Sequence, residues 1–210
     1  MSKTLFALAI ALVATPFAAS ANGSDDINYT FIQLDAVYED SGSGEYPWGM
    51  ALNGSYAFND NVFGVASISR TKDSDVLDGA WENTNKSWSV GIGFTHDIGN
   101  VADWVTKLSY VEKTHRDEWF EVGADGNVES WYAKDSRSGV NVSAGVLGKV
   151  SDKLTANAYL GYEDYGSRHD GNFYADFGIG YAFNPTWSLQ GSMKLNQSAA
   201  TFAVGVRASF

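Results

Sequence analysis

A two-residue alternation of large apolar and small polar side chains runs through this chain from residue 27 onward. For example, Trp88, Val90 and Ile92 alternate with Ser89 and Gly91. Successive side chains of a strand point to opposite faces, so this period predicts strands rather than helices. The alternation therefore constrains the chain to an all-β fold.

The chemistry of the two faces indicates a membrane barrel rather than a soluble sandwich. One face is large and apolar, and the other is rich in Gly, Ser, Asn and Ala. A soluble sheet would carry many charges on its exposed face, whereas small residues fit the inside of a narrow barrel. The mean hydropathy of −0.20 agrees with this interpretation, because only alternate residues of a barrel strand face lipid.

Ten segments carry the pattern, and they predict an antiparallel, transmembrane, up-and-down β-barrel of about ten strands, with eight as the alternative count. The third segment is ambiguous, since Phe63 and Val65 compete with Val62, Ala66 and Ile68 for the outward face. The predicted strands are Asn28–Glu39, Trp48–Phe58, Asn61–Thr71, Lys86–Asp97, Asp103–Lys113, Ser138–Val150, Lys153–Asp164, Asn172–Phe183, Thr186–Leu195 and Ala200–Phe210.

The N-terminus has the pattern of a secretory signal peptide. Lys3 is followed by an apolar run from Leu5 to Phe17, and small residues follow at Ala19 and Ala21. These features predict cleavage before Asn22. We therefore expect a signal peptide over residues 1–21 and one barrel domain over residues 22–210. The chain has no Cys, which excludes disulfides and thiolate metal sites.

The links between the predicted strands alternate in length. Short links follow the second, sixth and eighth strands, whereas Lys72–Asn85 and Thr114–Arg137 are long and polar. Short turns of such barrels lie on the periplasmic side, so both termini are expected there. Aromatic residues at the strand ends predict two interfacial girdles. The girdle residues expected beside the short turns are Phe58, Phe94, Trp104, Phe183, Trp187 and Phe210, and those beside the long links are Trp48, Trp88, Tyr110, Tyr162, Phe173 and Phe202.

Two resemblances to known proteins follow from particular segments. The C-terminal stretch ending in Phe210 resembles the signal that the barrel-assembly machinery reads in outer-membrane proteins. The segments Trp88–His96, Gly161–Tyr165 and Phe183–Trp187 resemble the small Gram-negative outer-membrane proteins regulated by diffusible signal factor, once proposed as quorum-sensing or immunity-activating factors. That resemblance implies a role in envelope behaviour such as biofilm formation, motility or adhesion.

The partners expected during biogenesis are the Sec translocon, periplasmic chaperones and the barrel-assembly machinery. A net charge of −11 argues against binding to nucleic acid. We expect a monomer surrounded by outer-membrane lipids and lipopolysaccharide, whose phosphates Arg116, Lys134, Arg137 and Arg168 are placed to contact. The acidic residues expected beside those phosphates are Asp40, Glu45, Asp117, Glu118, Glu121, Asp125 and Glu129.

Several charged residues fall on predicted inward faces. They form either the lining of a narrow porin or transporter, or a network of ion pairs that fills the lumen. The network is the favoured interpretation, because a barrel this narrow is largely filled by side chains. The candidates are Asp35, Lys107, Glu163, Asp176, Lys194 and Arg207.

Enzymatic chemistry is weakly indicated. None of the three His has a Ser two residues away on the same strand face, as a lipid-modifying site at the barrel wall would need. A rim protease would need paired acids and a His–Asp pair to activate water, and the candidates are Asp73, Asp75, His169 and Asp170. The chain is short for such an enzyme, whose strands extend far above the membrane. A non-enzymatic barrel without cofactor is therefore the prediction.

A calcium site is also weakly indicated. Asp73, Asp75, Asp78 and Glu82 supply oxygen ligands, but the spacing lacks the central Gly and terminal Glu of a calcium-binding loop. Aromatic side chains are concentrated in the longest predicted link. Trp119, Phe120, Trp131 and Tyr132 would form either an adhesive surface or a lid over the barrel.

Overall fold

The computed structural model of the chain is a closed barrel of ten antiparallel strands, which confirms the predicted fold and strand count. It describes residues 27–42, 46–76, 81–122, 127–166 and 171–210. None of these residues belongs to a helix long and apolar enough to cross a membrane. Several residues singled out from the sequence lie outside the described ranges, namely Ala19, Ala21, Asn22, Glu45, Asp78, Asp125, Arg168, His169 and Asp170.

Each strand pairs with the next in the chain, and the first closes the barrel against the last. The closing ladder runs from Phe31 opposite Ser209 to Asp40 opposite Ala200. The strands are β1 (Phe31–Asp40), β2 (Trp48–Asn59), β3 (Val62–Val76), β4 (Trp81–Asp97), β5 (Ala102–Val122), β6 (Val128–Ser151), β7 (Leu154–Asp164), β8 (Asn172–Ala182), β9 (Trp187–Asn196) and β10 (Ala200–Ser209).

Most of the large apolar residues of the strands face outward. Leu34, Leu108 and Val206 are all close to half exposed, although they lie in the middle of their strands. Such an apolar exterior is unfavourable in water and suits lipid. The closed ladder also suits lipid, because it leaves no backbone group unpaired in the hydrocarbon. Many of the exposed aromatic residues lie towards the two ends of this exterior, whereas Phe177 lies midway along β8.

The ambiguous third segment is resolved by its neighbours in the sheet. Ala66 and Ile68 lie opposite outward-facing residues of β4, and Phe63 points into the lumen, where it is 4 % exposed. Gly93, directly opposite Phe63, makes this possible, since a Cβ at Gly93 would collide with the Phe63 ring. Pattern alone could not decide the face, because the glycine that admits Phe63 is on another strand.

The prediction of loops over Lys72–Asn85 and Thr114–Arg137 is wrong. The ladder between β5 and β6 continues unbroken from Ala102 opposite Gly148 to Val122 opposite Val128. Above the membrane both faces of a strand meet water, so the alternation that marked the spanning segments stops while the hydrogen bonding continues. We call residues 72–76 of β3, 81–85 of β4, 114–122 of β5 and 128–137 of β6 the projecting sheet.

This extension changes the meaning of the link lengths. The connection between β5 and β6 spans only residues 123–127, and that between β3 and β4 spans residues 77–80. The asymmetry of the barrel therefore comes from long strands at one end rather than from long loops. Both ends of the barrel chain lie at the opposite end, where Phe210 N–H donates to the Thr30 carbonyl at 3.0 Å.

Candidate functional site

An apolar cluster fills the lumen at the end that carries the short turns. Tyr29 lies just before β1 and stacks on Phe63 with ring centroids 4.7 Å apart. Its hydroxyl donates to Asp103 Oδ2 at 2.7 Å, and Asp103 is completely buried. Burial and the Asp103 carboxylate raise the pKa of Tyr29 above its usual range, so the hydroxyl remains a donor. The buried members of this lumen plug are Ile27, Tyr29, Ala57, Phe63, Val105 and Tyr159.

The middle of the lumen is polar and held by amide and aromatic contacts. Arg207 Nε donates to Gln33 Oε1 at 2.8 Å, and its guanidinium lies 3.9 Å from the Phe31 ring. Asp35 accepts hydrogen bonds from Gln33 Nε2 at 2.8 Å and from Asn53 Nδ2 at 2.7 Å. The charges at this level are therefore bonded to neutral groups rather than to each other.

The upper lumen contains a compact ion cluster centred on Glu163. Its carboxylate lies 2.6 Å from Lys113 Nζ and 2.5 Å from Lys194 Nζ. Asn141 Nδ2 and the Tyr165 hydroxyl also donate to it, at 3.0 and 2.7 Å. Burial and Glu163 raise the pKa of Tyr165 above its usual range, so the hydroxyl stays protonated. Four donors satisfy one buried carboxylate here.

The six lumen candidates from the sequence all lie on the inner face, but the structure joins only two of them directly, Glu163 and Lys194. Lys107 lies 3.9 Å from the Tyr159 ring, and Asp176 accepts from Asn157 Nδ2 at 3.3 Å. The second partner of Glu163, Lys113, was missed by the sequence analysis. Lys113 and Lys107 are both odd-numbered residues of β5 and therefore point to the same face. The alternation alone could thus have identified Lys113 as a lumen residue.

A hydrogen-bonded row crosses the inner face at the base of the projecting sheet. Thr71 Oγ1 donates to Glu39 at 3.2 Å, and Asn85 Nδ2 donates to the other oxygen of Glu39 at 3.4 Å. His115 continues the row, with Nδ1 2.6 Å from Asn85 Oδ1 and Nε2 3.0 Å from Asp117 Oδ2. The side chains of four strands are thereby fixed to one another.

This row is the part of the described chain that most resembles hydrolytic chemistry, and its geometry argues against it. Both nitrogens of His115 are engaged, so neither is free to take a proton from water. Asp73, the acid proposed from the sequence, is buried and accepts the Tyr46 N–H at 2.7 Å. Glu82 pairs with Lys72 at 2.9 Å. Within the described ranges no three His or acidic side chains are grouped so that they could hold a metal ion.

Strands that extend far above the membrane, which we expected only in a rim protease, are nevertheless present in this chain. β5 has 21 residues and β6 has 24, about twice the length that crosses a membrane. Strand length therefore no longer distinguishes this barrel from a rim protease.

Three tryptophans form a transverse row on the inner face of the projecting sheet. Trp81 of β4 lies opposite Trp119 of β5, which lies opposite Trp131 of β6. Trp81 Nε1 also donates to Asp117 Oδ1 at 3.2 Å. Trp81 was not among the sequence candidates, since the row depends on the register of two hairpins. The inner face of the projecting sheet is therefore aromatic, although this sheet lies outside the membrane.

The cations proposed to contact lipopolysaccharide lie on two faces of this sheet. Arg116 pairs with Glu118 at 3.1 Å and lies 4.4 Å from the Tyr132 ring. Lys134 lies opposite Arg116 in the ladder, whereas Arg137 is on the inner face, 5.0 Å from the Tyr165 ring. The structure does not gather these side chains into one anion site.

One edge of the projecting sheet is open. The ladder between β6 and β7 stops at Val140 opposite Asp164, whereas β6 extends twelve residues further, to Val128. No strand of the described chain pairs with this stretch on the β7 side. Every residue from Val128 to Ser136 is exposed, including Trp131 and Tyr132. An unpaired strand edge offers backbone donors and acceptors to a partner.

No protein-family model and no curated protein sequence matches the chain. Solved structures share its fold. The translocator domain of autotransporter NalP from Neisseria meningitidis superposes with a TM-score of 0.51 at 14% identity, over 99% of this chain and 96% of that domain. KdgM porin gives 0.45 at 12% identity, over 85% and 99% of the two chains. Ail of Yersinia pestis gives 0.43 at 13% identity, over 86% and 95%.

Proposed function

The fold is that of bacterial outer-membrane β-barrel proteins, and we propose that this chain is a non-enzymatic member of the outer membrane that presents the projecting sheet as an interaction surface. The observation that carries this proposal is the open, fully exposed edge of β6 beside a lumen that is plugged at its other end. Surface-dependent behaviour such as adhesion, biofilm formation or motility, which the resemblance to proteins regulated by diffusible signal factor implies, would then depend on this sheet.

We also propose an orientation for the barrel, which the same features support. Short turns and both barrel termini share one end, which we place in the periplasm, with the projecting sheet outside the cell. Maturation would remove residues 1–21 after export by the Sec translocon. The terminal Phe210 would then direct folding by the barrel-assembly machinery, with periplasmic chaperones carrying the intermediate.

The rival function is a narrow porin. It is disfavoured by the stacked Tyr29 and Phe63, which lie with buried Val105 across the lumen. Planar-bilayer recording distinguishes the two functions. We expect no steady conductance from the wild-type barrel, and a stable ohmic pore would overturn the plugged interpretation.

The proposal is tested by replacing residues 114–137 with a short turn that joins Lys113 to Ser138. The barrel should still fold, because every spanning ladder remains, and altered migration of unheated samples on gels reports this. Cells carrying the shortened barrel should lose attachment to abiotic or host-like surfaces. Retained attachment by a folded, shortened barrel would refute the proposal.

A further inference from the structure

We propose that the open edge of β6 pairs, antiparallel, with the same edge of a second copy of this chain held in a facing membrane. This inference rests on the proposed function and identifies the partner of the projecting sheet. We infer a second copy as the partner because the sequence of the edge is complementary to itself, in both backbone and charge.

The backbone determines which registers are possible. Lys149 N–H donates to the carbonyl of Val101, the residue before β5, at 2.7 Å, and the β5–β6 ladder has no register shift from there to Val128. Odd-numbered residues of β6 therefore direct their N–H and C=O groups to β5, and even-numbered ones direct theirs to the open edge. In an antiparallel pair the edge-facing residues must lie opposite each other, so a two-fold axis must pass through a single residue.

The charges disfavour two of these registers and favour another. An axis through Tyr132 places Glu129 opposite Asp135, and an axis through Lys134 places that lysine opposite its own copy. Like charges directly opposite destabilise a sheet. An axis through Ala133 instead places Glu129 opposite Arg137, and the symmetry repeats this pair on the other side.

The remaining pairs of the Ala133 register are also favourable. Tyr132 lies opposite Lys134, where a cation can contact a ring, and Trp131 lies opposite Asp135, where an indole N–H can reach a carboxylate. Ala133 itself lies opposite its copy in a pair without backbone hydrogen bonds, where side chains approach most closely and a small one is needed. Together the two projecting sheets would form one continuous sheet across the axis.

The direction of the strands places the partner in another membrane. Two copies side by side in one membrane have β6 running the same way, so this antiparallel pairing is closed to them. Copies in facing membranes have it running opposite ways. From Ala133 to Val140, which lies level with the girdle residue Tyr110, is roughly 23 Å along a strand, so the edge reaches beyond the lipid surface. The chain stays a monomer within its own membrane.

The decisive experiment uses two charge reversals in the full chain, reconstituted into phosphatidylcholine vesicles, with clustering followed by light scattering. Wild-type vesicles should cluster. Glu129→Arg alone and Arg137→Glu alone should each lower clustering roughly tenfold, since two ion pairs become like-charge pairs. Mixing the two variant populations restores opposite charges at both positions, so mixed vesicles should cluster as wild type does.

Matched controls come from the short turn at the opposite end of the barrel. Asp152→Arg and Lys153→Glu make the same changes in net charge on exposed residues and should leave clustering unchanged. A second variant tests the backbone. Ser130→Pro removes an N–H that faces the open edge while leaving the β5 ladder intact, and it should abolish clustering of folded barrels.

The inference is overturned if wild-type vesicles do not cluster, or if mixing the two reversals gives no recovery. Neither result touches the proposed function, which is measured by attachment to foreign surfaces and by the shortened barrel. Clustering that survives the charge reversals but is lost on shortening would keep the projecting sheet as the contact surface and overturn the edge pairing in the Ala133 register.

Discussion

The projecting sheet continues four of the ten strands that form the barrel wall, yet the two regions differ in every respect that depends on solvent. In the wall each strand has two neighbours, and large apolar residues cover the outside. In the projecting sheet both faces carry charged and aromatic residues, and β6 has only one neighbour. Lipid offers no partner for a free backbone group and so requires closure, whereas water tolerates an edge. One ladder of strands can therefore be closed within lipid and have an open edge in water.

The largest effect is expected where the wall is packed from inside. Phe63→Ala removes the ring that stacks on Tyr29 and leaves a cavity in the lumen plug. The cost should be about 3–5 kcal/mol of unfolding free energy, the range for buried Phe in cores. Urea unfolding of the barrel refolded in lipid measures it. A loss below about 1 kcal/mol would mean that the plug contributes little to holding the wall.

A matched pair of substitutions compares the lipid-facing wall with the projecting sheet, which lies in water. Val204 lies midway along β10 on the lipid-facing wall, and Val128 lies at the tip of the projecting sheet. Val204→Arg should cost about 2–4 kcal/mol, because it brings a charge near the bilayer midplane. Val128→Arg should cost less than about 0.5 kcal/mol, as surface changes do. Equal costs in urea unfolding would contradict the assignment of the spanning segments.

A smaller effect is expected where the two regions meet. Glu163→Gln keeps the shape of the side chain but removes the charge shared by Lys113 and Lys194. The lysines are partly exposed, so water compensates in part and the loss should be about 2 kcal/mol. The difference from wild type should shrink at high salt. An unchanged barrel would show that the ion cluster is dispensable for stability.

The smallest effect is expected in the projecting sheet. Trp131→Ala removes one member of the tryptophan row, and a cross-strand pair of this kind contributes at most about 1 kcal/mol. Global unfolding should hardly change, whereas amide exchange should speed up in residues 114–122 and 128–137. If the spanning strands exchanged faster as well, the two regions would be coupled rather than separable.

The interior shows where prediction from sequence reached its limit. Parity placed Lys107, Asp176 and Arg207 in the lumen without any structure, because strand alternation is local. Which of them pair is a question of register across strands that are far apart in the chain. Asp176 and Lys107 have Asn157 and Tyr159 as neighbours, and the ion cluster formed instead around Glu163 and Lys113.

The sequence by itself determined the barrel, its strands, its lipid-facing residues outside β3 and the end that carries the short turns. Each of these follows from the local two-residue alternation of side chains and from the side chains that a bilayer requires. Only the tertiary structure decided that β3 to β6 continue beyond the membrane, because water imposes no face pattern on a strand. It alone also decided that β6 ends in an open edge, since that depends on where β7, a different strand, stops.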